Sequence, residues 1–258
     1  WDEAAHTKGA VEYAYFFTQV FRGNINFDLL RIPLLDPYFP LGKIVASVIL
    51  FFTYPDIKIA QFAGTLFFIG CIVFMYAITK KVTHSNWGAL LSAILISFAP
   101  HVVDRSHLLS LDIGVLFFYL ASFYFFLSSD NLINKKAGFY FFICLALTIL
   151  TKFQAFIYFI PIALYEVIYL FKYGFKKPII FNVCIGLLGA ALLTIPIIII
   201  NQTGLQSYLT IATQSQFAAP SNMFDITTWL YYPTQLINGF FPLIYAPILL
   251  VGGIAFFR

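Results

Sequence analysis

Asp2 and Glu3 stand side by side, and His6 follows one turn later. Neighbours on a helix point about 100° apart, so the two carboxylates do not form a facing pair. One can act as a base while a neighbour holds the other. Glu3 and His6 have the i, i+3 spacing of carboxylate-bridged metal sites, and His101, Asp104 and His107 repeat it. The Glu-x-x-His pair occurs once, however, and a di-metal bundle needs it twice with carboxylates from other helices. No cofactor is therefore expected. A metal-dependent membrane enzyme, holding a divalent ion on His, Asp and Glu, is kept as an alternative.

Two further places concentrate reactive groups. The stretch HVVDRSHLLSLD carries His101, Asp104, Arg105, His107 and Asp112, and the hairpin LTKFQ carries Lys152. Asp112 opens an apolar run, where a carboxylate needs a partner or water. Lys152 interrupts two apolar runs, and an ammonium there can serve as a point-charge ligand for a phosphate at the membrane surface. Plainer readings exist for each: a solvated acidic loop, an interhelical hydrogen bond and a turn residue.

These groups are scarce in their surroundings. Charged residues make up 10% of the 258 positions and apolar residues 61%, and the mean hydropathy is +0.88. A soluble chain has about a quarter charged residues. The elements that hold the reactive groups are therefore membrane helices. Apolar runs near the length that crosses a bilayer, about 20 residues, fall at 59–79, 87–103, 107–127, 138–151, 153–173, 179–201 and 240–257. They are apolar all round, not alternating as barrel strands are. The sequence predicts an all-α, polytopic integral membrane protein with about seven transmembrane helices and external juxtamembrane helices.

Lys80, Lys81, Lys135, Lys136, Lys172, Lys176, Lys177 and Arg258 lie at alternate span ends, with only Asp130 and Glu166 among the acidic residues. The positive-inside rule assigns those ends to the cytoplasm. Residues 1–55 then form a first external loop, 56–201 a transmembrane core, 202–239 a second external loop and 240–258 a last helix. The segment 38–54, YFPLGKIVASVILFFTY, is apolar but must begin and end outside, so it lies in the interface or dips in and returns. All the unusual ionisable groups gather on the external face. Four segments delivering them to one face predict one site.

Several function classes find no support. The net charge of +4 is dispersed, so nucleic acid is not a partner. Cys71, Cys144 and Cys184 lie inside apolar runs and build neither a disulfide framework nor a metal site. There is no Walker-type loop, no G-x-G-x-x-G and no G-x-S-x-G, and the Asn201-Gln202-Thr203 sequon abuts the membrane. A transporter or flippase of lipid-linked sugars is the other alternative. It predicts charges at mid-bilayer and inverted repeats, whereas the charges here gather at one face and no repeat is visible.

An outer-face Asp-Glu, then LDPYFPLGK, then HLLSLD opening a span, then LTK before another, resembles one family in that order. It is similar to the GT-C fold glycosyltransferases, in particular the protein O-mannosyltransferases and the lipid A aminoarabinose transferase type. The resemblance runs from residue 2 to about residue 250, where ITTWLYYPTQLINGFFPLIYAP looks like the family's late external loop. It implies that a first transmembrane helix precedes Trp1 and that a C-terminal part follows Arg258. Two departures stand out. The family's His-Pro-Pro-Leu is Tyr38-Phe39-Pro40-Leu41 here, though Gly42-Lys43 follows as in the mannosyltransferases. Ala5 and His6 stand where relatives carry a basic residue and an aromatic.

The resemblance implies a transferase that uses a polyprenyl- or dolichyl-phosphate sugar as donor, with its tail in the bilayer. The acceptor hydroxyl belongs to a protein, a glycolipid or a polysaccharide outside an envelope membrane. Asp2 becomes the general base, with Glu3 and Asp112 as the other catalytic candidates. His6, Tyr38, Lys43, Asp104, Arg105, His107 and Lys152 are the substrate-binding candidates, the cations Lys43, Arg105 and Lys152 for the lipid phosphate.

Overall fold

The computed structural model describes residues 2–24, 40–53, 56–174, 176–204 and 206, and every regular element among them is helical. Helix α1 runs Asp2–Phe21, α2 Leu41–Phe52, α3 Ile57–Thr83, α4 Asn86–Ser97 and α5 Pro100–Ser106. Then come α6 Leu111–Ser128, α7 Lys135–Thr151, a 3₁₀ segment Phe153–Phe159, α8 Ile160–Tyr173 and α9 Lys177–Ile200. The chain is an all-helical membrane protein.

Polar residues between apolar runs set the starts. The side chains of Asp56, Ser85, Ser110 and Asn134 accept from the backbone N–H groups of Lys58, Gly88, Asp112 and Ala137, satisfying donors that the helix cannot. After Ser128 the chain reverses through Asp130, Asn131 and Leu132, all at positive φ. Leu132 is buried there: its N–H donates to Ser129 Oγ, and Asn182 of α9 donates to the carbonyls of Leu132 and Ile133.

Among the described residues four helical segments are long and apolar enough to cross a membrane: α3, α6, the 3₁₀–α8 segment and α9. A fifth is counted if α4 and α5 form one broken span. The sequence predicts one continuous span over 87–103, but the structure bends it by 63° between these two helices. Pro100 sits in the first turn of α5, where it has no N–H to continue α4. Pro161 likewise falls where the 3₁₀ segment gives way to α8. Helix α7 has 17 residues, about 26 Å at 1.5 Å per residue. Residues 207–258, including the 240–257 run and nearly all of the 202–239 loop, lie outside the described residues.

Packing builds a row. α1 lies on α2, α2 on α3, α3 on α4 and α6, α6 on α7, and α7 on α9. Small residues let the first three approach closely: Ala10, Ala14, Ala46, Ala60 and Ala63 share one buried cluster. Phenylalanines fill the α6–α7 end, among them Phe126, Phe141, Phe142 and Phe159. Leu188, Leu192 and Ile199 of α9 stay exposed, as a lipid-facing surface requires. The 38–54 segment contains a 12-residue helix, α2, about 18 Å long and too short to cross a 30 Å hydrocarbon core.

Candidate active site

Helix α3 ties the acidic end of α1 to the turn before α6. One turn into α3, the amide of Gln61 donates to Glu3 Oε1 at 2.7 Å. Three residues on, Gly64 lies against backbone: a Cβ there would stand 2.5 Å from the Leu108 carbonyl oxygen and 2.9 Å from that of Ser106. Thr65 donates to the same Ser106 carbonyl at 3.5 Å. The 106–108 turn is thereby fixed, and with it the orientation of α5 before it and α6 after it.

Asp112 sits in the first turn of α6, its N–H capped by Ser110. Its carboxylate accepts a hydrogen bond from Lys152 Nζ at 2.7 Å. Lys152 is the residue at which α7 ends, with extended backbone (φ −153°). The two helices meet closely here because Gly114 leaves room for the Thr151 methyl, which a Cβ would meet at 3.2 Å.

Two cavities open on this ion pair. The smaller, about 60 Å³, is lined by Glu3, His6, Arg105, Ser110, Asp112 and Lys152. The larger, about 600 Å³, has His101, Arg105, Asp112 and Lys152 at one end. Its remaining wall is mostly apolar and runs along α6 and the 3₁₀–α8 segment through Val115, Leu116, Tyr119, Ile157, Tyr158 and Pro161. Two basic side chains, Arg105 and Lys152, face one carboxylate in the larger cavity, so its polar end favours an anion. Arg105 borders both cavities. Its Nε is buried without a hydrogen-bond acceptor among the described residues, the Asp104 carboxylate being 3.8 Å away.

The sequence-predicted residues divide accordingly. Glu3, His6, Arg105, Asp112 and Lys152 come together. Asp104, 68% exposed at its side chain, and the exposed His107 line neither cavity. His101 and Arg105, one turn apart, share the cavity side of α5. Lys43 also lines neither cavity. It is fully buried between α1 and α2, with its stem against Gly9. Asp2 opens α1, but its side chain lies outside the described residues, as does Tyr38. Among the described residues no group of three or more His, Cys, Asp or Glu is placed to hold a metal ion.

His101, which the sequence groups with the scarce ionisable residues, lines the larger cavity; Gln61, Tyr119 and Tyr158 are additions from the structure. Only Gln61 leaves a trace in the sequence, as a lone amide in the apolar run IKIAQFAGTLFF.

A family model described as dolichyl-phosphate-mannose-protein mannosyltransferase matches residues 2–211. The chain belongs to that family. No curated protein and no solved structure matches it. As a member, the protein is an integral membrane glycosyltransferase whose sugar comes from a polyprenyl-phosphate donor. Both cavities and every residue that lines them fall within the matched part. In this mannosyltransferase the acidic start of α1, the bent α4–α5 pair and the α7 terminus are neighbours, though up to 150 positions separate them.

Proposed function

We propose that the protein transfers a mannosyl group from a dolichyl- or related polyprenyl-phosphate to a hydroxyl of a protein acceptor, on the external face and with inversion. The hydroxyl oxygen attacks the anomeric carbon, and its proton passes to the Asp2 carboxylate. The bond from that carbon to the phosphate oxygen breaks, and its electron pair leaves with the lipid phosphate. General-base help of this kind is worth about 10²–10⁴-fold. Arg105 and Lys152 stabilise the departing anion, which gathers charge as the bond breaks. Asp112 holds Lys152 in place, Glu3 orients the acceptor beside Arg105, and the first part of the isoprenoid tail lies along Val115, Leu116 and Tyr119.

One observation carries this reading. Arg105, Lys152 and Asp112 converge where a long apolar cavity meets a small polar one, an arrangement suited to a lipid phosphate with a reacting group beyond it. The assignment of Asp2 as base rests on the family resemblance and on its place at the start of α1.

The experiment measures mannose transfer from synthetic dolichyl-phosphate mannose to a hydroxyl-bearing peptide, using the whole natural chain in membranes. Asp2→Asn should lower kcat by about 10²-fold or more with donor KM nearly unchanged. Full activity in that variant would remove Asp2 from the mechanism. Absence of transfer, with movement of the lipid-linked sugar across the membrane instead, would favour a flippase. Loss of transfer on adding a chelator would favour the metal-dependent enzyme.

A further inference from the structure

Gln61 belongs to no motif, yet it makes the hydrogen bond that joins the acidic end of α1 to the span α3. The bond is short, 2.7 Å, and partly buried, and it connects residues 58 positions apart. A primary amide entering a lipid-spanning segment is costly to leave unmatched. Its donation engages one oxygen of the Glu3 carboxylate, Oε1. Glu3 also lines the small cavity with Arg105, Asp112 and Lys152. The face of α3 that carries Gln61 also carries Gly64, which rests on the 106–108 backbone. One helix face therefore fixes both the carboxylate and the turn that bears Arg105.

We propose that Gln61 is a positioning residue for Glu3: it sets the distance of the Glu3 carboxylate from Arg105 and so the geometry in which the acceptor is held. The inference rests on the role given to Glu3 above. Gln61 touches no reacting atom and acts through Glu3 alone. That restriction has a measurable signature, because two residues acting as one unit show non-additive effects.

The test is a double-mutant cycle on the whole natural chain, with dolichyl-phosphate mannose and a hydroxyl-bearing peptide. Gln61→Met keeps the length of the side chain and removes its donor. It should lower kcat by about tenfold, the order of one hydrogen bond to a charged acceptor, with donor KM unchanged. In a Glu3→Gln background the same substitution should cost nothing further. A second pair reads the bond without activity. Gln61→Glu sets two carboxylates together and should melt lower, whereas Glu3→Gln/Gln61→Glu restores a donor–acceptor pair and should melt like the wild type. Wild-type kcat in Gln61→Met beside an impaired Glu3→Gln would overturn the role of Gln61 and leave Glu3 in place. So would an equal loss in both backgrounds, or a swap that melts no higher than Gln61→Glu. Wild-type activity in Glu3→Gln would instead remove Glu3 from the mechanism, and Gln61 with it.

Discussion

Lys152 Nζ lies 2.7 Å from Asp112 Oδ1, a bond between residues 40 positions apart that joins the end of α7 to the start of α6. Lys152 therefore faces the cavity already paired, and the two side chains respond to substitution together. Lys152→Met deletes a cation and leaves a bare carboxylate where the donor phosphate is proposed to sit. We expect the KM for dolichyl-phosphate mannose to rise by about tenfold or more, since like charges within a few ångströms repel strongly away from bulk water. Adding Asp112→Asn should recover part of that loss. A double variant worse than Lys152→Met would mean that Asp112 does more than hold its partner.

Gly64→Ala places a methyl group within 2.5 Å of the Leu108 carbonyl oxygen and 2.9 Å of that of Ser106. Both are backbone atoms and cannot swing aside, so the turn must move. We expect a loss of about 1–3 kcal/mol in stability, together with a fall in kcat, because Arg105 and Asp112 flank the displaced turn. Thermal melting and transfer assays on the same preparation check both parts. A variant that melts normally and transfers normally would show that α3 and this turn separate at no cost.

Asn182 supplies the opposite control. It donates to two carbonyls, those of Leu132 at 2.8 Å and Ile133 at 3.0 Å, at the end of α6 away from the cavities. Asn182→Leu leaves both acceptors unmet and should cost about 1–3 kcal/mol. Below its lowered melting temperature the variant should keep wild-type kcat and KM. Reduced kcat in folded protein would reveal communication along α6.

The membrane sidedness can be read by chemical labelling in a background without the three native cysteines. Asn24 and Thr53 flank α1 and α2 and are exposed, as is Lys136 at the start of α7. Cysteines at 24 and 53 should both react with an impermeant thiol reagent added outside, and one at 136 should not. Protection at 53 alone would make the 38–54 segment a true span, against the 12-residue length of α2.

The helices were legible because a membrane imposes long apolar runs, and the capping residues Asp56, Ser85, Ser110 and Asn134 mark where those runs begin. The breaks at Pro100 and Pro161 were visible in principle, but hydropathy reads straight through a proline. The candidate site was legible as a set of scarce charges and not as a geometry. Sequence order puts Asp104, Arg105 and His107 together, yet only Arg105 of the three lines the cavities, with His101 one turn before it, while Asp104 and His107 stay exposed. Lys43 reads as a cation available to a phosphate, and close packing of α1 on α2 buries it beside Gly9. The pairings of Gln61 with Glu3 and of Lys152 with Asp112 depend on which helices meet. A single amino-acid sequence carries no local signal for that.

The larger cavity, polar at the Arg105–Lys152 end and apolar beyond Val115, has the outline of an amphiphile. Purification surrounds the protein with amphiphiles at millimolar concentration. A detergent with a phosphate-bearing head and a single chain matches that outline at both ends, and it competes by mass action with a donor supplied at far lower concentration. Solubilised preparations should thus lose activity in such detergents and regain it on transfer to neutral-headed ones or to bilayers. The choice of solubilising agent becomes an inhibition experiment in its own right.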